Sequence, residues 1–584
     1  MSYKAPIRDI LFSLQGAGRF GRLADAFPDA DADTVQAILT AAGDFAADVV
    51  GPLNQTADRE GARYENGRVT APAGFVDAYR QFSADGWNGL AAAVEHGGQG
   101  LPKTLEVAIF DMIQAANLAF GIWPTLTLGA IEAIDVHGSE RQKALYLPKL
   151  VTGEWPGTMN LTEPQAGSDL AALRTRAEPD GEGGYKLYGQ KIFITWGDQD
   201  ATDNILHLVL ARLPDAPEGV KGISLFLAPK VLVNEDGSMG GRNDLRVGGI
   251  EHKMGLHGSP TCVMLYEGAK AELVGQPHNG LAAMFTMMNA ARLMVGVQGV
   301  GIAERAYQRA LEFSQERRQG RSAWTGENYA PIFDHPDVRR TLMLSKAKIE
   351  AARGLCFATG VCADLGRASA DPAEREAAKA REALLTPIAK AWSTDVGVDV
   401  ASACLQVHGG MGFIEETGAA QHYRDARIMP IYEGTNGIQA IDLAGRKLAD
   451  GGAAMGVLLA ELRQEAQAWE GDLAGVKARL LAGADAVETA TAWLIEKRGT
   501  PDALAGATPF LRLAGDVIGG WMLARGAVFA NANPGSDDAA WRASKTALAR
   551  LFAEQVLTGA AGLAEAVKQG AGDLAETSAD TLGV

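Results

Sequence analysis

The chain has 584 residues, of which 47% are hydrophobic and 21% are charged, and its formal net charge is −17. At roughly 100–200 residues per domain, this length predicts about three to five domains, with enough core to fold without disulfides or structural metals. The acidic excess disfavours binding to nucleic-acid phosphates and to anionic lipid surfaces. The four cysteines stand in apolar surroundings without metal-ligand spacing, so we expect reduced core thiols and no metal site.

The N-terminal sequence MSYKAPIRDILFSL has neither a long apolar region nor a small-residue cleavage site, so it does not resemble a signal peptide. No stretch of the chain approaches the roughly 20 continuous apolar residues of a membrane span. These two observations predict a soluble, cytoplasmic protein that has no membrane partner.

The first part of the chain, residues 1–157, is predicted to form a helical domain. Apolar residues recur at the helix period from Asp33 to Ala42, and a second helical run covers Leu105 to Leu118. The glycine- and proline-containing segment 97–103 separates such pieces and is typical of a loop.

The pattern changes near Trp155, after which short β-rich runs alternate with turn-rich pieces such as Asp180–Gly184. The predicted strands lie at 184–188, 191–195, 205–211, 222–228 and 261–266. This pattern predicts an antiparallel β domain over residues 158–277, placed between helical regions.

Helical periodicity returns after Gly280. Long helices are predicted at 290–319, 338–365, 372–407 and 437–449, and Asp371 before Pro372 is typical of a helix start. We expect a four-helix bundle over residues 278–450 and a helical C-terminal extension over 451–584. The predicted fold class is therefore a multidomain α+β protein. Strands and helices do not alternate and no GxGxxG follows a strand, which argues against a Rossmann-type NAD site.

The segment most informative about chemistry is Tyr432–Gln439, with the sequence YEGTNGIQ. Its glutamate, Glu433, stands between an aromatic residue and a glycine, directly before a predicted helix. In an apolar cleft the charged form of such a glutamate is disfavoured, which makes it a better proton acceptor near neutral pH. The commoner alternative is a first-turn glutamate that complements the helix dipole.

Four further segments carry polar or glycine-rich patterns. Leu161–Asp169 offers hydroxyls and backbone amides that can cradle a polar cofactor, although it also suits an ordinary turn. Lys191–Gly197 is a strand with aromatic residues. Glu316–Arg321 is a cationic helix end that either receives a pyrophosphate or is simply solvated. Gln406–Phe413 is a glycine-rich helix exit in which His408 is expected to be structural.

Together and in this order, the five segments resemble the acyl-CoA dehydrogenase family, over residues ~40–450. The N-terminal opening and the long tail resemble the enlarged branch that includes 3-methylmercaptopropionyl-CoA dehydrogenase. The resemblance implies FAD-dependent α,β-dehydrogenation of a short-chain acyl-CoA, an oxidation of a CH–CH bond, with 3-methylmercaptopropionyl-CoA to 3-methylthioacryloyl-CoA as the candidate reaction. It also implies electron-transfer flavoprotein as the acceptor and a homo-oligomer, either a dimer or a tetramer.

The resemblance also assigns roles to individual residues. It makes Glu433 the catalytic base that removes the α-proton while a hydride leaves the β-carbon for flavin N5, with the backbone N–H of Glu433 and a ribityl hydroxyl polarising the thioester carbonyl. It implies substrate contacts for Ser168, Asn289, Arg292 and Gly434. It implies cofactor contacts for Met159, Leu161, Thr162, Gly167, Ser168, Phe193, Ile194, Thr195, Arg317, Gln319, Gln406, Gly410, Thr435 and Gly437. Four of these, Arg317, Gln319, Gln406 and Gly410, are implied to reach the FAD of a neighbouring subunit.

Five positions depart from the family pattern. Phe193 stands where tryptophan is usual, and Trp196 stands where a small polar residue is common. Gly320 replaces an aromatic residue, Gly437 replaces glutamine, and Asn289 replaces an acidic residue. These departures predict less extensive stacking on the flavin and weaker contacts to the adenosine and to the CoA arm.

Two other functions share parts of this pattern. An acyl-CoA oxidase uses the same flavin chemistry but passes electrons to oxygen. A flavin-bearing, DNA-associated protein of the same fold would need a basic C-terminal region, whereas acidic residues are plentiful after Leu448. The presence of Glu433 argues against a non-catalytic scaffold, and we expect no nucleic-acid partner.

Overall fold

A computed structural model describes residues 2–533 and 539–583 of the chain. The described residues form two compact units. The first, here called the sheet unit, contains Ser2–Ala5 and Ala41–Met294, and the second, the bundle unit, contains Pro6–Thr40 and the described part of Val295–Val584. The domain limits predicted at 157, 277 and 450 divide the chain differently and stay predictions.

The secondary structure follows the predicted order of helices, strands and helices. The helices before the main sheet are α1 (Ile7–Gln15), α2 (Ala32–Asp44), α3 (Asn54–Glu60), α4 (Phe75–Ala84), α5 (Lys103–Ala116), α6 (Leu118–His137) and α7 (Glu140–Val151). The strands are β1 (Arg63–Glu65), β2 (Arg68–Thr70), β3 (Gly157–Asn160), β4 (Arg176–Pro179), β5 (Tyr185–Thr195), β6 (Leu206–Arg212), β7 (Ile223–Pro229), β8 (Val231–Val233), β9 (Met239–Arg242), β10 (Leu245–Ile250) and β11 (Thr261–Val274). The later helices are α8 (Gly280–Glu316), α9 (Pro336–Ala368), α10 (Pro372–Val407), α11 (Ala419–Ala426), α12 (Asn436–Asp442), α13 (Ala453–Gln467), α14 (Ala474–Glu496), α15 (Pro501–Ala532), α16 (Ala539–Gln555), α17 (Ala560–Lys568) and α18 (Gly572–Glu576).

These elements confirm the expected α+β class with a helical extension. The predicted helix start at Asp371 is also confirmed, since its side chain accepts a hydrogen bond from the backbone N–H of Ala373. The runs predicted as two strands at 184–188 and 191–195 are one strand, β5, with irregular pairing to β11. All four cysteines are buried thiols, as expected.

The main sheet closes on itself. Strands β11, β5, β4, β6 and β7 pair in a ring, with β10 added beside β11 and β3 added beside β6. Most pairs are antiparallel, as predicted, but β3 and β4 each lie parallel to β6. The two strands of each parallel pair are joined by a long connection and not by a hairpin, as a parallel arrangement requires. The sheet is therefore mixed rather than purely antiparallel.

Strands β6 and β7 are buried on both faces. Leu208 and Leu225 pack with Leu150 of α7 in one hydrophobic cluster, whereas the alternating residues Val209 and Phe226 belong to a second cluster among the strands. Because successive side chains of a strand point to opposite faces, two buried faces require a continuous apolar run. This explains the unbroken apolar sequences of both strands.

In the bundle unit the C-terminal extension packs directly on the central helices. Helix α15 lies against α9, α10 and α12, and α16 lies against α9. Glycines 515 and 519 of α15 permit this approach, because a Cβ on either would come within 2.3–2.4 Å of the Trp392 ring of α10. The indole N–H of Trp392 donates to Asp516 at 2.9 Å. The extension is therefore part of the bundle's core.

A buried group of charged side chains joins α1, α9 and α16 in the same unit. The ammonium of Lys545 lies 2.8 Å from Asp9 and 2.6 Å from Glu350. Lys346 lies 2.8 Å from the other carboxylate oxygen of Asp9. Burial alone would raise the pKa of Asp9, but the two lysines outweigh it and hold the pKa well below its usual range.

Three helices correct the expectation that no segment could span a membrane. By length and composition α6, α8 and α15 are long and apolar enough to cross one. However, 83%, 67% and 83% of their most apolar windows are buried inside the protein. A helix that is apolar all round is also typical of the interior of a large protein, and most of each window is buried here.

Replacing Asp9 with asparagine should destabilise the bundle unit by about 3–5 kcal/mol, because two buried ammonium groups lose their shared carboxylate. Urea unfolding followed by circular dichroism measures the loss. The pKa of Asp9 is lowered, so its contribution is present above the unfolded pKa of 3.8 and is lost as the pH falls through the folded value. Asp337→Asn, at an exposed ion pair with Arg340, is the control and should change stability little. Equal effects of the two substitutions would contradict this prediction.

Candidate active site

Glu433 lies in a turn that precedes α12, within a segment here called the base loop, Met429–Asn436. Its backbone φ is +55°, and that of Gly434 is +82°, so two consecutive residues are left-handed. A residue other than glycine in this region costs about 1–3 kcal/mol and keeps the conformation only when its surroundings impose it. The base loop must therefore be held from outside.

A fully buried lysine on α10 provides this support. The ammonium of Lys390 donates to the carbonyl oxygens of Met429 and Gly434 and to the side-chain oxygen of Asn436, each at 2.9 Å. The side chain has no measurable exposure. One cation thus joins backbone positions before and after Glu433.

Two amide side chains fix the rest of the base loop. The Nδ2 of Asn436 donates to the carbonyl of Ala391 at 3.0 Å and to the carboxylate of Asp395 at 2.8 Å, both on α10. The Nε2 of the buried Gln439 lies 3.3 Å from the carbonyl oxygens of both Glu433 and Gly434. The backbone around Glu433 therefore has polar partners from two helices.

The helix start itself argues against a helix-dipole role for Glu433. Thr435 is the N-cap residue, since its hydroxyl accepts from the N–H of Ile438 at 3.2 Å, and α12 begins at Asn436. Glu433 therefore precedes the cap and lies outside the first turn, where acidic side chains complement the dipole. This geometry does not fit the helix-dipole alternative, and the role of Glu433 as base stays a prediction.

Tyr432, within the base loop, connects the loop to α8. Its hydroxyl hydrogen-bonds the side-chain oxygen of Gln298 on α8. Burial raises the pKa of Tyr432 well above its usual value, and the negative charge of Glu433 raises it further. The tyrosine therefore stays protonated, and its hydroxyl can donate to Gln298.

The second predicted site segment, Leu161–Asp169, belongs to the sheet unit and is here called the cofactor loop. It is organised by the buried carboxylate of Glu163, which accepts from Lys191 at 2.8 Å and from Thr175 through both its N–H and its hydroxyl. Lys191 also donates to the carbonyl of Leu161 at 2.9 Å. A lysine on β5 thus fixes the start of the cofactor loop.

The Glu163–Lys191 pair is ionised near neutral pH. Burial alone would raise the pKa of Glu163, but the charge of Lys191 and the hydrogen bonds outweigh it and lower that pKa to about 2. Burial lowers the pKa of Lys191 to about 8 against the opposing effect of Glu163. Both charges are therefore present at pH 7, and each compensates the other inside the unit.

The end of β5 lies beside the cofactor loop, because the N–H of Ile192 donates to the carbonyl of Thr162 at 2.9 Å. Phe193 has a left-handed backbone with φ +59°, and its ring is 58% exposed. Thr195 is half-buried. Trp196 does not line this surface, since its ring is buried and stacks on Trp123 with centroids 4.1 Å apart. The unusual tryptophan therefore fills the core.

The remaining predicted residues of the sheet unit fall into two groups. Gly167 and Ser168 are exposed at the end of the cofactor loop, whereas the side chains of Met159 and Ile194 are buried in hydrophobic clusters, so a cofactor could reach only their backbone.

The two predicted CoA contacts lie on the first part of α8. Asn289 is exposed, and its side-chain oxygen accepts from the guanidinium of Arg292 at 3.3 Å. Arg292 is buried, and its guanidinium lies 5.7 Å from the ring centroid of Phe285. The structure thus presents Asn289 to solvent more than Arg292, and both CoA contacts stay predictions.

The residues predicted to reach a neighbouring subunit lie together at the far end of the bundle. Arg317 and Gln319 follow α8, and Gln406 and Gly410 lie at the end of α10; all four are exposed. The rings of Phe313 and His408 connect these ends, with centroids 4.6 Å apart. Along α10, Gln406 lies about 24 Å from Lys390 at the usual helical rise.

Sequence reasoning did not identify the residues that support the two loops. These are Glu163, Lys191, Gln298, Lys390, Asn436 and Gln439. The available signal was a lysine inside an apolar stretch, as in the sequence TPIAKAW around Lys390, because lysine is almost never fully buried without a partner.

Comparison with known families covers most of the chain. Three family models match consecutive parts of the chain. The model described as "Acyl-CoA dehydrogenase, N-terminal domain" matches residues 32–154, the model of the middle domain matches residues 158–269, and the model of the C-terminal domain matches residues 278–448. A fourth family model, described as "Acetyl-CoA dehydrogenase C-terminal like", matches residues 458–578. The matches therefore include the extension.

Individual proteins are similar over comparable lengths. The 3-methylmercaptopropionyl-CoA dehydrogenase of Ruegeria pomeroyi is 46% identical over 572 residues, covering 95% of this chain and 96% of that protein. A solved acyl-CoA dehydrogenase from Bacillus anthracis, complexed with FAD, is 23% identical, with TM-score 0.75 over 95% of this chain and 90% of that chain. A structure described as an electron transferring flavoprotein of Acidaminococcus fermentans is 27% identical, with TM-score 0.59 over 71% and 98%.

Replacing Glu163 with glutamine should destabilise the sheet unit by about 3–5 kcal/mol, because Lys191 becomes an uncompensated buried charge. The purified variant should also retain less FAD, since the cofactor loop loses its central acceptor. Urea unfolding and the ratio of flavin to protein absorbance measure the two effects.

The pH dependence gives a further check. Since the pKa of Glu163 falls from 4.5 to about 2, its stabilisation is present above pH 4.5 and is lost as the pH falls toward 2. The variant should lack this part of the acid destabilisation. Glu178→Gln, at an exposed pair with Arg176, is the control. If both variants behaved alike, the assigned role of the buried pair would be wrong.

Proposed function

The chain belongs to the acyl-CoA dehydrogenase family, and on this basis we propose that it oxidises 3-methylmercaptopropionyl-CoA to 3-methylthioacryloyl-CoA. The enzyme class, an oxidoreductase acting on CH–CH bonds with FAD, follows from the family. The substrate is proposed because the relative that carries this name is 46% identical over nearly its whole length. The observation that carries the chemistry is Glu433, held in a strained turn outside the first turn of α12.

The residues of the sheet unit fit a flavin. An exposed aromatic ring is unfavourable in water, and Phe193 presents 58% of its surface at the end of β5, where it can stack on a planar ring. Thr195 offers a half-buried hydroxyl nearby on the same strand, and the cofactor loop exposes Gly167 and Ser168 for polar contacts. We propose that these residues hold the FAD, with Thr162 as a further polar contact.

The reaction then divides between the cofactor and the chain. Bound FAD supplies the acceptor for the hydride that leaves the β-carbon. Glu433 takes the α-proton through its carboxylate, and its backbone N–H, paired by family resemblance with the thioester carbonyl, stabilises the charge that develops on that oxygen. The base loop is held before and after Glu433, so the carboxylate and the backbone N–H keep fixed relative positions. This pre-orientation lowers the entropic part of the activation barrier.

We propose that the protein is a homodimer or homotetramer. Arg317, Gln319, Gln406 and Gly410 lie far along the bundle from Glu433, so serving the FAD of a neighbouring subunit accounts for their exposed, clustered arrangement. Membership of the acyl-CoA dehydrogenase family supports electron-transfer flavoprotein as the electron acceptor. A cytoplasmic location remains part of the proposal.

The variant Glu433→Gln should keep FAD but lose acyl-CoA-dependent flavin bleaching by about 10²–10⁴-fold, the usual contribution of a general base. Stopped-flow absorbance under anaerobic conditions measures the rate per bound flavin. Glu415→Gln removes an exposed carboxylate of the same unit and should bleach at the wild-type rate. Bleaching of Glu433→Gln at the wild-type rate would rule out the assigned base.

A substrate panel tests the proposed acyl chain. We expect the highest kcat/KM for 3-methylmercaptopropionyl-CoA, with its all-carbon isostere pentanoyl-CoA next and palmitoyl-CoA lowest. A difference of one methylene in an apolar pocket changes kcat/KM by about 10–200-fold, so a pocket sized for a short chain should discriminate strongly.

The same assay separates a dehydrogenase from an oxidase. Reduction of electron-transfer flavoprotein should far exceed peroxide formation in air. A preference for palmitoyl-CoA would contradict the proposed substrate, and peroxide as the main product would favour the oxidase.

A further inference from the structure

We propose that Lys390 is the positioning residue of the catalytic base: its ammonium holds the base loop on both sides of Glu433 and thereby aims the carboxylate and the backbone N–H of Glu433 together. This inference rests on the proposed function, because it concerns the residue that takes the α-proton. It assigns to Lys390 a role that acts through Glu433 and requires no contact with the substrate.

The first support is the cost of placing a cation here. Lys390 is fully buried on α10, and removing an ammonium from water is strongly unfavourable unless hydrogen bonds replace the water. An ammonium has three N–H donors, and the base loop offers three oxygen acceptors at 2.9 Å. The base loop therefore supplies three acceptors for the ammonium of Lys390 at hydrogen-bond distance.

The second support is where the acceptors lie along the chain. Met429 precedes Glu433 by four residues, and Gly434 follows it directly, so their two carbonyl oxygens converge on one nitrogen from opposite sides of the base. A third bond, to the side chain of Asn436, extends the contact to the start of α12. The ammonium therefore closes the backbone into a ring that contains Glu433.

The third support is the conformation that this ring imposes. Glu433 has a φ of +55°, which a non-glycine residue adopts only under constraint. The amide of Gln439 shares only the carbonyl of Gly434 with Lys390, bonds the carbonyl of Glu433 besides, and acts over a longer 3.3 Å. If Lys390 were absent, the turn could relax toward negative φ, and this rotation would move the carboxylate and the N–H of Glu433 together.

Loss of Lys390 should affect cleavage of the α-C–H bond of the substrate more than cleavage of its β-C–H bond. A misplaced base slows removal of the α-proton, whereas hydride departure from the β-carbon depends on the position of the flavin. A change of about 1 Å in the position of a reacting group can lower a rate by about 10²-fold. Loss of Lys390 should therefore make α-proton transfer more rate-limiting without a matching effect on the β-carbon.

The test uses the holoenzyme of Lys390→Met, which keeps an unbranched side chain but removes the ammonium. Stopped-flow flavin bleaching with 3-methylmercaptopropionyl-CoA, and with its α-deuterated and β-deuterated forms, gives rates per bound flavin. We expect a loss of about 10²-fold in the limiting bleaching rate, little change in the substrate concentration at half-saturation, and a larger α-deuterium isotope effect. The β-deuterium effect should not increase.

The matched control is Lys346→Met, which removes another buried lysine of the bundle unit, one that pairs with Asp9 and does not contact the base loop. This variant should be less stable but should bleach at the wild-type rate per bound flavin, with unchanged isotope effects. If Lys390→Met does not fold, Asn436→Ala replaces it, since that change removes one of the three acceptors and should raise the α-deuterium effect in the same direction.

The outcomes distinguish this inference from the proposed function. Wild-type enzyme that is not bleached by any acyl-CoA of the panel would refute the function itself. Wild-type enzyme that is bleached, together with a Lys390→Met variant whose per-flavin rate and isotope effects are unchanged, would refute the positioning role alone. A loss explained entirely by lower FAD content or lower stability would also refute it, because the lysine would then be merely structural.

Discussion

Each unit of this protein places a fully buried lysine beneath a loop that carries predicted site residues. Lys191 holds the start of the cofactor loop, and Lys390 holds the base loop on both sides of Glu433. Lys191 lies against the carboxylate of Glu163, whereas Lys390 donates to two carbonyl oxygens and one amide oxygen of its loop and interacts electrostatically with Asp395. In both cases oxygens of the loop replace water around the buried cation, so that its burial fixes the geometry of the loop.

The extension shares the helix that carries the base-loop lysine. Lys390 and Trp392 lie two residues apart on α10 and therefore project toward different sides of it. One side meets the base loop, and the other receives α15, whose glycines 515 and 519 allow the indole to approach and whose Asp516 accepts its N–H. The same unit ties α1 and α16 to α9 through Asp9 and Lys545. The C-terminal extension thus packs against α10, the helix that carries Lys390.

The departures from the family pattern have different structural meanings. Trp196 is buried and stacks on Trp123, so its large ring fills the core of the sheet unit. Phe193, in contrast, remains exposed on a left-handed backbone and offers the planar surface expected beside a flavin. The sequence analysis listed both as departures from the family pattern without separating them, because the environment of a side chain at or just after the end of a strand is set only when the sheet and its helices are in place.

The sequence alone determined the order of helices and strands and the α+β class of the fold, because the periodicities of helices and strands are local properties of the chain. Its resemblance to a family, carried by five segments together, predicted Glu433 as the base and the segments that contact the cofactor. Only the tertiary structure decided what supports them: that the sheet closes with β3 and β4 parallel to β6, that the extension belongs to the bundle core, and that Lys390 lies under the base loop. Lys390 precedes Glu433 by more than forty residues, and a hydrogen bond between such distant positions leaves no periodic trace in the sequence, since it exists only after the helices have packed.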